Sequence, residues 1–170
     1  MPPKIVLMVV APKDFRDEEF FETKQALESY GIKATTASKV VEWAGSKFGK
    51  EVKVDIDLSR ADSKNFDGII FVGGPGAEIY FEDKKCHELA RKFYKENKVV
   101  AAICIAPSIL ANAGLLEGKR ATAFPSQEGH LVMKRAKFKQ TEVVVDGKIV
   151  TANGPKASRQ FGEEIAKLLV

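Results

Sequence analysis

One cysteine stands where a chain can make it reactive. Cys104 closes the apolar run Val99-Val100-Ala101-Ala102-Ile103, and a helix from Ser108 to Leu115 follows almost at once. Ala102 and Ala106, two residues before and after it, complete a small-x-Cys-x-small pattern. A sharp strand-to-helix turn excludes larger side chains at those two places and lifts the central one out of the sheet. Beside the amino end of a helix, free N–H groups and the helix dipole favour the thiolate, the nucleophilic form of cysteine. The chemistry on offer is attack of sulfur on an electrophilic carbon, or oxidation of the sulfur itself. The plain alternative is a small apolar residue filling the core.

Such an elbow needs a sheet beneath it, and the pattern supplies one. Lys4 to Ala11 is a buried strand, Asp17 to Tyr30 a helix ended by Gly31, and Ile32 to Ala37 a second strand. Lys39 to Leu58 alternates loosely, with Trp43-Ala44-Gly45 and Phe48-Gly49-Lys50 as turns, and predicts a β-hairpin excursion. Phe66 to Val72 is another buried strand, closed by Gly73-Gly74-Pro75-Gly76. Asp83 to Glu96 is helical, with Cys86, Leu89, Ala90 and Phe93 on one face and His87 facing solvent. After the elbow come a short strand (Arg120 to Ala123), a short helix (Glu128 to Arg135) and a hairpin turning at Asp146-Gly147. A last helix opens on Pro155. Strands alternating with helices predict an α/β fold, a mainly parallel sheet covered on both faces, in one domain from 1 to 170. Ligands in such sheets bind beyond the carboxyl ends of the strands. The turn from Pro12 to Asp17, the Gly73–Gly76 turn and the Cys104 elbow therefore point to one shared crevice.

Composition bounds the function. Among 170 residues, 45% are hydrophobic and 29% charged, an ordinary soluble balance. The net charge of +4 comes from lysines interleaved with acids, so no basic stripe suggests nucleic acid. No apolar stretch approaches the roughly 20 residues that span a membrane. The start, Met1-Pro2-Pro3-Lys4, lacks a signal-peptide layout, which sets a cytoplasmic expectation. Two cysteines make no disulfide framework, and His87 and His130 make no zinc pattern, so neither metal nor cofactor is expected. The glycine turn is not followed by Gly-Lys-Ser/Thr, which argues against a phosphate cradle.

Four segments resemble the ThiJ/PfpI family of the wider glutamine-amidotransferase-like group. They are Phe66 to Gly76; Ala102-Ile103-Cys104 through Pro107 with Leu110 and Ala113 to Leu116; Ala121 to Pro125; and Val145 to Pro155. They stand in family order and spacing, and the resemblance runs from about Lys4 to Leu169. It implies a flavodoxin-like three-layer sandwich assembled as homodimers or higher homo-oligomers, with chemistry centred on Cys104. Members are described as peptidases, as glyoxalases and deglycases acting on carbonyl adducts, and as redox-sensitive chaperones. The resemblance also implies that the N–H groups of Gly74 and Ile105 form an oxyanion hole. Phe124 would shape an apolar wall beside it.

The chain departs from the family at two places. Ile105 stands where members commonly carry histidine, so the local Cys-His pair is missing. Counting back from Gly31 without gaps, the family's thiol-binding glutamate falls on Arg16, with Asp17, Glu18 and Glu19 immediately after; Glu19 matches a second acidic position of some members. Any of these four is a candidate partner of the thiol. Arg16 would lower the thiol pKa as a nearby cation but could not serve as a base. His130 is the histidine with a path to the site, and its plain alternative is a surface helix residue.

Two functions follow. The first is a cysteine-dependent hydrolase, peptidase or glyoxalase/deglycase-like, with Cys104 as nucleophile toward a small carbonyl or peptide substrate. The second is a non-enzymatic redox sensor or chaperone in which Cys104 is oxidised. A nucleotide-binding flavodoxin-like module has only the fold in its favour.

Overall fold

A computed structural model of the chain describes residues 2–39 and 41–170. Met1, in the N-terminal stretch, and Val40, in the excursion from Lys39 to Leu58, lie outside the described residues. The elements run β1 (Ile5–Val9), α1 (Asp17–Glu28), β2 (Lys33–Ser38), β3 (Trp43–Gly45), β4 (Glu51–Lys53), β5 (Ile56–Asp57), β6 (Gly68–Phe71) and α2 (Lys84–Lys95). They continue with β7 (Val99–Ile103), α3 (Pro107–Asn112), β8 (Arg120–Ala121), α4 (Glu128–Met133), β9 (Lys137–Phe138), β10 (Val143–Asp146), β11 (Ile149–Ala152) and α5 (Ser158–Leu169).

Seven strands form one sheet in the order β10-β11-β7-β6-β1-β2-β5, parallel except at the β10–β11 edge. The continuous apolar runs demand burial on both faces, because side chains alternate along a strand. Leu7, Ile69, Val100 and Ile149 lie in register across four strands and face a core closed by α2 and α3. Their neighbours Met8, Ile70, Ala101 and Val150 face the opposite core, with Phe20 and Leu27 of α1 and Phe161 and Ile165 of α5. The three-layer α/β sandwich is thus as the sequence predicts. No helix among the described residues is long and apolar enough to cross a membrane.

Four local details differ from the sequence expectation. Trp43-Ala44-Gly45 is a strand and not a turn: it pairs antiparallel with Glu51–Lys53 around the Phe48-Gly49 tip. Arg120–Ala121 stays out of the main sheet and pairs with β9, which the polar-apolar pattern did not signal. His87 is buried, its Nε2 lying 2.8 Å from the Phe81 carbonyl, because α2 turns that face onto the loop before it. The last hairpin has Gly147-Lys148 as its two-residue loop, one residue beyond the expected turn.

The tight pairing of α1 and α5 rests on Gly162. A methyl group there would come within 2.8 Å of both the Ala26 Cβ and the Thr23 carbonyl. In an uncrowded helix Gly→Ala gains about 1 kcal/mol. Here overpacking costs about 1–3 kcal/mol and should outweigh it. Urea unfolding of Gly162→Ala is therefore expected to show a net loss of stability; a net gain would mean the helices separate easily.

Candidate active site

The chain leaves β1 for β2 on one side and returns to β6 on the other, so β1 and β6 mark a switch in strand order. The loops after β1, β6 and β7 converge there. Cys104 sits in the elbow after β7 with φ +67°, a left-handed conformation that a non-glycine residue holds only under external constraint. The constraint is visible on both sides. The Cys104 N–H donates to the Ala152 carbonyl at 2.9 Å, and its own carbonyl accepts the Phe124 N–H at 2.7 Å. Ala102 and Ala106 are wholly buried, as the close turn requires.

The sulfur is largely covered, with 8% of the residue exposed, and opens on a cavity of about 240 Å³. Arg16, Lys47, Gly74, Pro75, Ile105, Phe124, Ser126 and Pro155 complete its lining. Burial pushes the Cys104 thiol up to about 12, and the neighbouring Glu19 carboxyl pushes the same way. The N–H groups of Gly74 and Ile105 face the sulfur and pull in the other direction, favouring the thiolate. Gly74 reaches this position with φ +103°, on a loop tied to the turn before α1: Arg16 N–H donates to the Gly73 carbonyl at 3.0 Å and Gly76 N–H to the Asp14 carbonyl at 3.1 Å. Because α3 has only six residues and starts beyond the turn, these two loop amides, more than a helix dipole, set the electrostatics at the sulfur.

Glu19 is the acid that meets Cys104. It projects from the first turn of α1, is completely buried, and neither carboxyl oxygen has a partner at hydrogen-bonding geometry. Burial raises its pKa to about 8, while the adjacent Cys104 thiol, the Arg16 charge and the Gly73 N–H oppose that rise only in part. The approach depends on Gly73. A methyl there would lie 2.5 Å from Glu19 Oε1 and 2.6 Å from Cys104 Cβ.

The other candidates are drawn elsewhere. Arg16 borders the cavity, but its Nε and Nη2 donate to the two oxygens of Glu18 at 2.9 and 3.0 Å, and its guanidinium lies 5.1 Å from the Phe48 ring centroid. The Cys104 charge is the last of the causes that raise the Arg16 pKa, behind the bond to Glu18, whereas Glu19 comes directly after burial among the causes that raise the thiol. Glu18, held below the usual carboxylate range by that bond to Arg16, faces the neighbouring groove. Asp17 accepts the Ser46 hydroxyl at 2.6 Å and the Phe48 N–H at 3.1 Å, which anchors the β3–β4 tip. His130 lies on α4 with Nε2 2.7 Å from Asn112 Oδ1 and outside the lining of the Cys104 cavity. Phe124 does form a wall. Lys47 escaped the sequence analysis; a lysine on a hairpin tip carries no local signal, and only the Asp17 anchor brings it to the cavity. Cys86 is fully buried in the core, its thiol pushed up by burial.

The DJ-1/PfpI family model matches residues 4–168. A Methanocaldococcus jannaschii protein described as uncharacterized is 40% identical over 167 residues, 96% of this chain and 82% of its own. A protein of Pyrococcus horikoshii named as a deglycase is 30% identical over 163 residues, 96% of this chain and 98% of its own. The crystal structure of a ThiJ/PfpI domain protein from Brachyspira murdochii superposes with a TM-score of 0.95 at 35% identity, covering 99% of this chain and 98% of that one. With a match over nearly its whole length and relatives in the same group, the chain belongs to the DJ-1/PfpI family.

Proposed function

We propose that the protein is a cysteine-dependent enzyme acting on small carbonyl compounds and their adducts, in the manner of a glyoxalase or deglycase, with Cys104 as nucleophile and Glu19 as its proton acceptor. The observation that carries this reading is the buried carboxyl of Glu19 set against the sulfur, with no side chain other than Cys104 at hydrogen-bonding reach. The name deglycase borne by the Pyrococcus horikoshii relative supports it. A purely redox role for Cys104 gains no comparable support.

In the proposed reaction the thiol proton passes to Glu19 while sulfur bonds to the carbonyl carbon and the carbonyl π electrons move to oxygen. That oxyanion is held by the N–H groups of Gly74 and Ile105. Glu19, now a carboxylic acid, protonates that oxygen and, as a carboxylate again, carries the proton of the sulfur-bearing carbon to the neighbouring carbonyl carbon. Water then attacks the resulting 2-hydroxyacyl thioester, which breaks the carbon–sulfur bond, releases the hydroxy acid and restores the thiol. No histidine is needed, because a carboxylate whose pKa lies near neutrality is matched to this task. Gly73 contributes by letting carboxyl and thiol touch, and Phe124 and Pro155 keep the cavity partly apolar.

Turnover of methylglyoxal or of its adducts with amino acids should vanish in Cys104→Ser, whose hydroxyl is far less acidic, while the far-ultraviolet circular dichroism stays unchanged. Residual turnover at the wild-type rate would place the chemistry elsewhere.

The Glu19 proton gives a second test. In the folded chain the carboxyl ionises at about 8 against an ordinary value of 4.5, so folding tightens its hold on the proton. The stability this contributes is complete below pH 4.5 and lost as pH rises through about 8. Glu19→Gln removes that decline, so the wild-type melting temperature should fall relative to the variant across this window. The same substitution should erase a rise in wild-type activity centred near pH 8. Parallel melting curves would mean that Glu19 enters the folded state ionised.

A further inference from the structure

The cavity over Cys104 carries a charge that the proposed reaction leaves unused. Arg16 and Lys47 are its charged lining residues, and no carboxylate joins them there. Arg16 is matched by Glu18 at two oxygens. Lys47 takes part in no salt bridge among the described residues. Its charge is close enough to lower the pKa of Glu18, which places it on the same side of the site.

Lys47 is held there by its backbone. Its N–H donates to the Phe15 carbonyl at 2.8 Å, Ser46 forms a bridge with Phe15, and the next N–H, of Phe48, reaches Asp17 Oδ1. Ser46 Oγ donates to Asp17 Oδ2 and accepts the Lys50 N–H at 2.8 Å. Three hydrogen bonds, one to Phe15 and two to Asp17, thus fasten a hairpin tip whose own strands are three residues each. The adjoining groove, about 570 Å³, shares Arg16, Phe124 and Pro155 with the cavity; its further charged residues are Glu18, Glu22 and Lys156. The excess positive charge therefore lies at the Cys104 end.

We propose that Lys47 is a specificity-determining residue that binds an anionic group of the substrate, so that dicarbonyl compounds bearing a carboxylate are preferred over neutral dicarbonyls; glyoxylate, the smallest aldehyde with an adjacent carboxylate, is the binding probe. This deepens the Cys104 reading and rests on it. The ammonium pairs with the substrate carboxylate and leaves the aldehyde carbon to the sulfur. No bond to Lys47 forms or breaks.

The test compares alkylation of Cys104 by iodoacetate and iodoacetamide, followed by mass spectrometry of the Cys104 peptide. Thiolate fraction enters both rates equally, so their ratio reports attraction of the anion alone. Lys47→Gln should lower the iodoacetate-to-iodoacetamide ratio about fivefold at low ionic strength, with the difference shrinking in salt. Lys47→Arg should restore it. Glyoxylate should protect wild-type Cys104 at lower concentration than glyoxal does, and lose that advantage in Lys47→Gln. An unchanged ratio in Lys47→Gln overturns the anion subsite and leaves the Cys104 reading intact. A sulfur that neither reagent modifies overturns both.

Discussion

A buried carboxyl group sealed beside a sulfur, with only that thiol and the Gly73 N–H close to it, is the constraint around which this molecule is arranged. Glu19 is completely buried and its oxygens find no hydrogen-bond partner, a state that raises its affinity for a proton. Burying an acid without firm hydrogen bonds costs stability. The fold nevertheless brings three separate loops to it. Gly73 forgoes a side chain, Cys104 accepts a left-handed backbone, and the turn before α1 is tied to the Gly73–Gly76 loop by two main-chain bonds. Strain and an unsatisfied polar group at one point are the pattern expected where function has overridden stability.

Four consecutive charged residues, Arg16 to Glu19, illustrate how a helix start distributes chemistry. Successive positions are turned by about 100° around the axis, so each faces different surroundings. Asp17 is directed to the hairpin tip, Glu18 to Arg16, and Glu19 to the sulfur. The Arg16–Glu18 pair is partly exposed and contributes little to stability by itself, at most about 1 kcal/mol. Its greater effect is to leave the cavity with one acid facing the thiol and one unmatched cation, Lys47, at the rim.

The alternation of buried strands and helices, the elbow at Cys104 and the glycine turn were legible from the residues, because burial on both faces and close approach restrict side-chain type directly. The thiol's partner was not. A gap-free count from Gly31 reached Arg16, whereas the acid at the sulfur is Glu19. Arg16 is the extended N-cap residue just before α1, whereas Glu19 lies inside its first turn, so the two point in unrelated directions. Helical periodicity fixes a face but not the residue at which the helix begins. That choice is made by the length of the loop from Pro12 to Arg16 and by its bonds to Gly73 and Gly76. The β8–β9 pair and the burial of His87 were hidden for the same kind of reason, since both are settled by contacts distant in the sequence.

The absence of histidine after the cysteine has a physical consequence beyond the loss of a base. A Cys-His pair becomes ionic when the proton moves, and separated charges are expensive in a site this dry. Proton transfer from Cys104 to an ionised Glu19 moves one negative charge from oxygen to sulfur and creates no new charge. Ile105 can therefore be apolar and still serve, because what the site takes from that position is its backbone N–H. The trade is in resting reactivity. With both groups raised by burial, the first proton the pair loses is that of Glu19, and the sulfur stays a thiol until the ionised carboxylate takes its proton during attack. Arg16 and Lys47 at the cavity rim then offset the negative charge that the ionised pair carries.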